Sequence, residues 1–372
     1  MAVNGKTRFK VDPDEAVFVT ADSLRAQAAA VLTAVGMRPA DAAIAADGLV
    51  SADLRGVESH GVSNMLPTYV TWIESGHLNP RPDIRVLRDR PSTASWDTDR
   101  GLGLALGLRA MDTAVEKAHK TGVGMVSLGN GRHLGMLAYT AMRALQHGMI
   151  GMVMTAASPR VLPTFGREAK LGTNPIAFAV PAADEPAFVF DAAMSVIPAN
   201  KITSAHRIGE DLPGGVVADE EGVPLLQAST PVAGAAIRLL PLGSSYEGGS
   251  HKGYGLACVT EILSSLLSDT AHVARLGLNF ANHFVTAIDI DGFVDRDSFL
   301  ASMDDFLIDL KTTKAAKGQN RVLVAGQLEA EYERTRTAQG IPLHLDVVTT
   351  LRTLGERLGL AETLEVANPP VA

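Results

Sequence analysis

The chain has 372 residues, 46% of them hydrophobic and 20% charged. That length exceeds the roughly 100 to 200 residues of one ordinary domain, and the composition excludes a disulfide miniprotein or a chain disordered overall. Its 33 basic and 41 acidic residues leave a formal net charge of -8, the wrong sign for gripping nucleic acid or anionic lipid by bulk charge. Small-molecule chemistry is therefore favoured, with no nucleic acid and no membrane among the expected partners. Cys258, the single cysteine, lies in an apolar run and suits a reducing compartment, where it reads as a small buried hydrophobe. Charges at Lys6, Arg8, Lys10, Asp12, Asp14 and Glu15 argue against an export signal, and the apolar stretch 149–157 is far shorter than the ~20 residues that span a bilayer. A cytoplasmic location is the expectation.

Thr20 and Asp22 offer N-caps to a helix with Leu24, Ala28, Val31, Leu32 and Val35 at helical spacing, stopped by Gly36. A second helix follows Pro39 and runs toward Gly56, and a third is predicted over 64–74. The stretch 80–99, rich in Pro, Arg and Asp, reads as linker plus strands and marks a domain boundary. From Gly103 an amphipathic helix runs to Gly122, followed by a buried strand over 123–128, a loop over 129–133, a helix over 134–146 and strands over 149–155, 176–180 and 187–190. Residues 203–250 read as loops, with a long apolar helix from Gly253 to Leu267 after them. A strand over 284–290, helices over 297–310 and 344–358, and a closing Pro369-Pro-Val-Ala complete the pattern. Strands alternating with helices of this length predict an α/β fold with some strands buried on both faces.

The dinucleotide fingerprint G-x-G-x-x-G is missing. Gly101-Leu-Gly103 and Gly129-Asn-Gly131 each meet their third glycine one residue late; both follow strand candidates and enter helices, so an approach to phosphate stays open beside the commoner reading as loop and cap glycines. Neither a P-loop, a G-x-S-x-G elbow nor a paired His/Asp/Glu metal motif occurs, so no metal is expected. Two histidines stand out by neighbourhood. His60 sits between Ser59 and Gly61 at a helix boundary, and His133 lies beside Arg132 in a glycine-rich loop. Local chemistry alone leaves a structural or surface role open for each. The run 170–175 has the makings of a rigid ligand loop or an ordinary turn, and Gly248 to Gly255 gathers His251, Lys252 and several glycines where a helix dipole favours an anion.

Four ordered segments then carry a resemblance: Asp53-Leu-Arg-Gly-Val-Glu-Ser-His-Gly-Val62, Leu171-Gly-Thr-Asn-Pro-Ile-Ala177, Phe190-Asp-Ala-Ala-Met-Ser195 with Lys201-Ile202, and Lys252-Gly-Tyr-Gly-Leu256. Together they resemble the signature segments of the type-2 malate/L-lactate dehydrogenase family. The resemblance implies a non-Rossmann α/β fold, in which a mixed-sheet NAD(P)-binding domain over 91–255 joins a largely helical dimerisation domain over 20–90 with 256–372. It also implies hydride transfer between NAD or NADP and C2 of a small 2-oxo or 2-hydroxy acid, and a homodimer. The alternatives are a reductase of a cyclic imino acid and a non-catalytic nucleotide-binding relative.

By the same resemblance, His60 is the proton donor with Ser59 as its relay partner, and His133 is the histidine that some members use instead. Cofactor contacts map onto Asp191, Ala192, Ala193, Met194, Ser195, His251, Lys252, Gly326 and Gln327, and Thr173 faces the substrate or the nicotinamide. Many relatives carry a carboxylate-clamping arginine four residues after the histidine. This chain has Asn64 there, leaving Arg55, Arg132 and Arg160 as substitutes.

Overall fold

The computed structural model describes residues 10–12, 15–230, 237–361 and 364–367, and the backbone alone of 2–3 and 6–7. The charged positions Arg8 and Asp14 and the tail 369–372 lie outside the described residues. Strands β1 (Ala2–Val3) and β2 (Lys6–Thr7) pair with each other, and β3 (Ala16–Val19) leads into α1 (Ala21–Ala34). Thr20 caps α1 as predicted, its hydroxyl accepting the Ser23 N–H at 3.3 Å. Next come α2 (Pro39–Leu54), a single 3-10 turn at Glu58–His60, and α3 (Val62–Glu74). Leu24, Leu32, Leu49, Leu66 and Tyr69 from these three helices are fully buried in one core.

The chain continues through β4 (Arg85–Asp89), β5 (Thr93–Asp97), α4 (Gly103–Thr121) and β6 (Val123–Gly131). After α5 (Leu137–Ala141) come β7 (Ile150–Ala156), β8 (Ile176–Val180), β9 (Phe188–Ala192) and α6 (Ala199–Arg207). The last third contains α7 (Ser250–Ser264), α8 (Val273–Leu276), β10 (Ala281–Ile288), α9 (Arg296–Thr312), α10 (Gln327–Gln339), β11 (Ile341–His344) and α11 (Leu345–Arg357). β11 returns to pair with β3, and α11 buries Val347, Val348 and Leu351 in the first helical core.

Seven strands form the main sheet in the order β4-β5-β6-β10-β7-β8-β9. Only β5 and β6 run parallel; every other neighbouring pair is antiparallel, which makes the sheet mixed as expected. The division drawn from the sequence gives 281–288 to the helical unit, yet β10 is the middle strand here. Its backbone is hydrogen bonded along both edges, and seven of its eight residues are buried. Such a strand is stable only between two others. The expected loop over 129–133 is in part strand, because β6 extends to Gly131 to meet Ala281. The predicted helix over 134–146 divides into α5 and a 3-10 turn at Met142–His147.

Two strand glycines let helices lie against this sheet at backbone distance. A Cβ on Gly124 would fall 1.9 Å from the Ala114 carbonyl oxygen of α4, and one on Gly151 would fall 2.1 Å from that of Ala141 on α5. Overpacking of this kind costs about 1–3 kcal/mol. Gly124→Ala should therefore lower the denaturant midpoint by an amount in that range with an unchanged slope, measured by urea unfolding followed by circular dichroism.

Candidate active site

The segment between α2 and α3 is bent around a buried carboxylate. The Asp53 side chain accepts the Val62 N–H at 2.9 Å and so supplies the cap that Gly61, at the N-cap position, lacks. A Cβ on Gly61 would fall 1.8 Å from Asp53 Oδ1, so only glycine fits there. Arg336 of α10 ties the same segment down, donating to the Asp53 carbonyl at 2.5 Å and to Glu58 at 2.5 Å, while Lys10 reaches both Glu58 and the Gly56 carbonyl. The turn so fixed carries Ser59 and His60.

His60 Nδ1 is 3.0 Å from the Ser59 hydroxyl. Its ring stacks on that of His133, with centroids 5.5 Å apart and planes 13° from parallel. His133 Nδ1 in turn lies 2.7 Å from the hydroxyl of Tyr69. The backbone leading to His133 is held by the buried His283, which bonds the Arg132 carbonyl at 2.9 Å and the Thr155 hydroxyl at 2.9 Å. Burial pushes His60 down to about 4, with the Lys201 charge adding to the effect, and holds His133 well below the ordinary histidine range. Both imidazoles are therefore neutral near pH 7.

Two clefts meet at this pair. The larger, about 370 Å³, is lined by Asp191, Ala192, Ala193 and Ser195, four of the expected cofactor contacts, and by Ser59 and His60. The smaller, about 280 Å³, is bounded by His133, Arg160, Asn200 and Asn279. His60, Thr173 and Pro198 line both. Thr173 is set in place by its neighbour Asn174, a buried residue at φ 38° whose side chain takes the Ala157 N–H at 3.0 Å and gives to the Ala257 carbonyl at 2.9 Å. Asp191 opens onto the larger cleft, yet the enclosing walls push its carboxyl up to about 6, and it accepts the Ala138 N–H at 2.8 Å.

Other anticipated contacts lie elsewhere in the chain. Met194 is in the core behind the cleft, 2% exposed. Asn64 faces α6, where it accepts from Arg207 at 2.8 Å and donates to the Ser204 hydroxyl at 3.3 Å, and it lines neither cleft. His251 and Lys252 are exposed at the first turn of α7 and line neither cleft. The glycines around them have a packing reason: Cβ atoms on Gly253 and Gly243 would strike the backbone of Leu242 and Gly249. Gly326 and Gln327 also stay outside the clefts, Gly326 because it presses on Val189 of β9; Glu329, one turn further along α10, reaches the larger one. Lys10, Glu58, Lys201 and Glu329 also line the larger cleft; Glu58 and Lys201 fall within the segments that carry the resemblance, whereas nothing local in the sequence marks Lys10 or Glu329.

Residues 19–352 match the profile of the malate/L-lactate dehydrogenase family. The chain belongs to that family. It is 40% identical over 337 residues to the malate dehydrogenase of Pyrococcus horikoshii, covering 89% of this chain and 92% of the relative. The L-sulfolactate dehydrogenase of Methanocaldococcus jannaschii is 33% identical over 338 residues, 89% of this chain and 94% of the relative. The solved malate dehydrogenase of P. horikoshii superposes with a TM-score of 0.85 at 36% identity, covering 95% of this chain and 98% of that one. The member described here is thus a dehydrogenase of the hydroxy-acid class, which accounts for the missing glycine fingerprint: its sheet is not of the Rossmann type.

The capping carboxylate makes the fold sensitive to pH. Burial raises Asp53 from 3.8 to about 7, so the folded protein keeps a proton there that the unfolded chain has already released. The stabilising contribution is present below about pH 4 and is lost as pH rises through about 7. Asp53→Asn should flatten this decline, seen as a smaller fall in Tm between those two pH values than the wild type shows.

Proposed function

We propose that this protein moves a hydride between NAD or NADP and C2 of a small 2-hydroxy or 2-oxo acid, with the dinucleotide in the larger cleft and the acid in the smaller. The observation that carries this reading is the meeting of the two clefts at His60 and Thr173. The larger cleft fits a dinucleotide by its chemistry. Met136, Leu137 and Val196 offer apolar surface to flat rings, and Lys201 puts positive charge near a pyrophosphate. The nicotinamide accepts or supplies the hydride when bound; the chain's own groups orient the acid and move its proton.

In oxidation, C2 loses its hydrogen with both electrons, the C2 hydroxyl proton goes to His60 Nε2, and the C–O bond becomes a carbonyl. A neutral His60 is ready for this. In reduction the same atom returns the proton, and the carboxylate of the bound acid beside it favours the imidazolium that must first form. Arg160 supplies the carboxylate contact. Its guanidinium is half-buried, lines the smaller cleft and has no acidic partner among the described residues. Its backbone is pinned to Leu171 at 2.8 Å and Leu239 at 2.9 Å. Of the other arginines considered, Arg55 is paired with Glu333 at 2.6 Å and Arg132 is spent on the His77 carbonyl at 2.7 Å.

A homodimer fits the surface of α7. Its buried side consists of small or polar residues such as Gly253, Ala257 and Ser264, while Leu256, Val259 and Ile262 form an exposed stripe that Leu266, in the 3-10 turn just beyond, continues. Much of the apolar content of this helix thus faces outward. Among the described residues no helix is long and apolar enough to cross a membrane. With its lone cysteine, the chain suits the cytoplasm.

His60→Ala should lower kcat by about 10²- to 10⁴-fold while the Kd for NADH or NADPH, read by fluorescence titration, stays within about threefold. Loss of cofactor binding in parallel, or unchanged turnover, would remove His60 from the proton transfer. Arg160→Gln should raise KM for the acid about 10- to 100-fold, as expected for one lost charge-assisted contact. A panel of oxaloacetate, pyruvate, sulfopyruvate and cyclic imino acids, followed by NADH and NADPH absorbance, assigns the substrate.

A further inference from the structure

We infer that Tyr69 locks His133 in its Nε2–H tautomer, so that His133 is a stationary hydrogen-bond donor to the substrate's C2 oxygen while His60 alone moves the proton. The inference rests on the reading of the two clefts given above. Tyr69 is fully buried on the inner face of α3, and its hydroxyl has one hydrogen-bond partner among the described residues, His133 Nδ1 at 2.7 Å. If Nδ1 carried the ring proton, the phenol would accept that bond and its own hydrogen would be buried with no acceptor. The phenol therefore donates, Nδ1 accepts, and the ring proton of neutral His133 sits on Nε2, the nitrogen left to face the smaller cleft. Burial drives the Tyr69 phenol upward and the His133 imidazolium downward, so neither partner changes charge near neutrality.

His60 is held differently. Its Nδ1 partner is the Ser59 hydroxyl at 3.0 Å, and a serine hydroxyl turns to donate or to accept. His60 can thus present Nε2 as a lone pair in one state and as N–H in the other. The 5.5 Å stack also discourages simultaneous protonation of both rings, since two cations at that spacing repel. A divided assignment follows: a rotatable partner for the ring that shuttles a proton, a rigid one for the ring that does not. In this scheme Tyr69 is a positioning residue, and His133 is the group that meets the substrate.

The test uses the full chain with ¹⁵N-labelled histidine. Two-bond ¹H–¹⁵N spectra, with His133 assigned by the signal lost in His133→Gln, should show wild-type His133 protonated at Nε2. In Tyr69→Phe, which keeps the ring and deletes the hydroxyl, the Nδ1–H form should appear, and kcat should fall about 10- to 100-fold with KM for the acid changed less than about threefold. Wild-type His133 protonated at Nδ1 would overturn the inference without any variant. An unchanged tautomer or an unchanged kcat in Tyr69→Phe would overturn it as well. Should no hydroxy acid be turned over while the tautomer shifts as described, the tyrosine lock stands and the dehydrogenase reading of the clefts is what fails.

Discussion

The placement of His60 depends on one bond, from the Val62 N–H to a carboxylate sealed inside the protein. A helix that begins at glycine has no side chain of its own to satisfy its first amides. Asp53 reaches across from the end of α2 to do so, and its closeness to Gly61 leaves no room for a side chain at that position. The Ser59-His60 pair is thereby fixed at the rim of both clefts rather than left on a loop. Arg336 adds a second restraint from the far end of the sequence, so the site's geometry is coupled to the docking of α10.

The electrostatic character of the site follows from that placement. Desolvation dominates at both histidines, and the nearest strong charge, Lys201, acts in the same direction on His60. A neutral His60 is able to accept a proton at rest. In the proposed reading the bound acid supplies the negative charge that makes His60 a donor, which ties protonation to substrate occupancy. In that proposed reading Arg160 and His60 divide the work on one small molecule, the first taking its carboxylate and the second its C2 oxygen's proton, with His133 as a fixed third contact.

Substitution at position 64 is less disruptive than it looks from the sequence. Asn64 points toward α6 and serves there in a hydrogen-bonded set with Ser204 and Arg207, so its contribution is to hold the helix that carries Asn200 and Lys201 at the cleft. The guanidinium that lines the smaller cleft, that of Arg160, comes instead from the segment after β7. A cation in a cleft is defined by where its charge ends up, and several backbone positions can deliver it.

Helix periods, caps and glycine stops fixed α1, α2, α4 and α11 and the strands of the sheet from local pattern alone, because each depends on side chains only a turn or a pleat apart. The Ser59-His60 pair and the 191–195 run were legible through an ordered series of segments. Invisible locally were the insertion of β10 between β6 and β7, the outward apolar face of α7, and the contacts of Lys10, Arg336, Glu329 and Tyr69 with the site. Tyr69 reads as one more apolar position of α3 until His133, 64 residues away, is brought against its hydroxyl. Sequence by itself determined the strongly periodic helices and strands and which residue types are on hand for chemistry; tertiary structure added α6, α10 and the β3–β11 pair and decided which residues share a cleft. The physical reason is that periodicity acts over a few residues, whereas desolvation, tautomer and charge pairing are set by neighbours that only chain packing can supply.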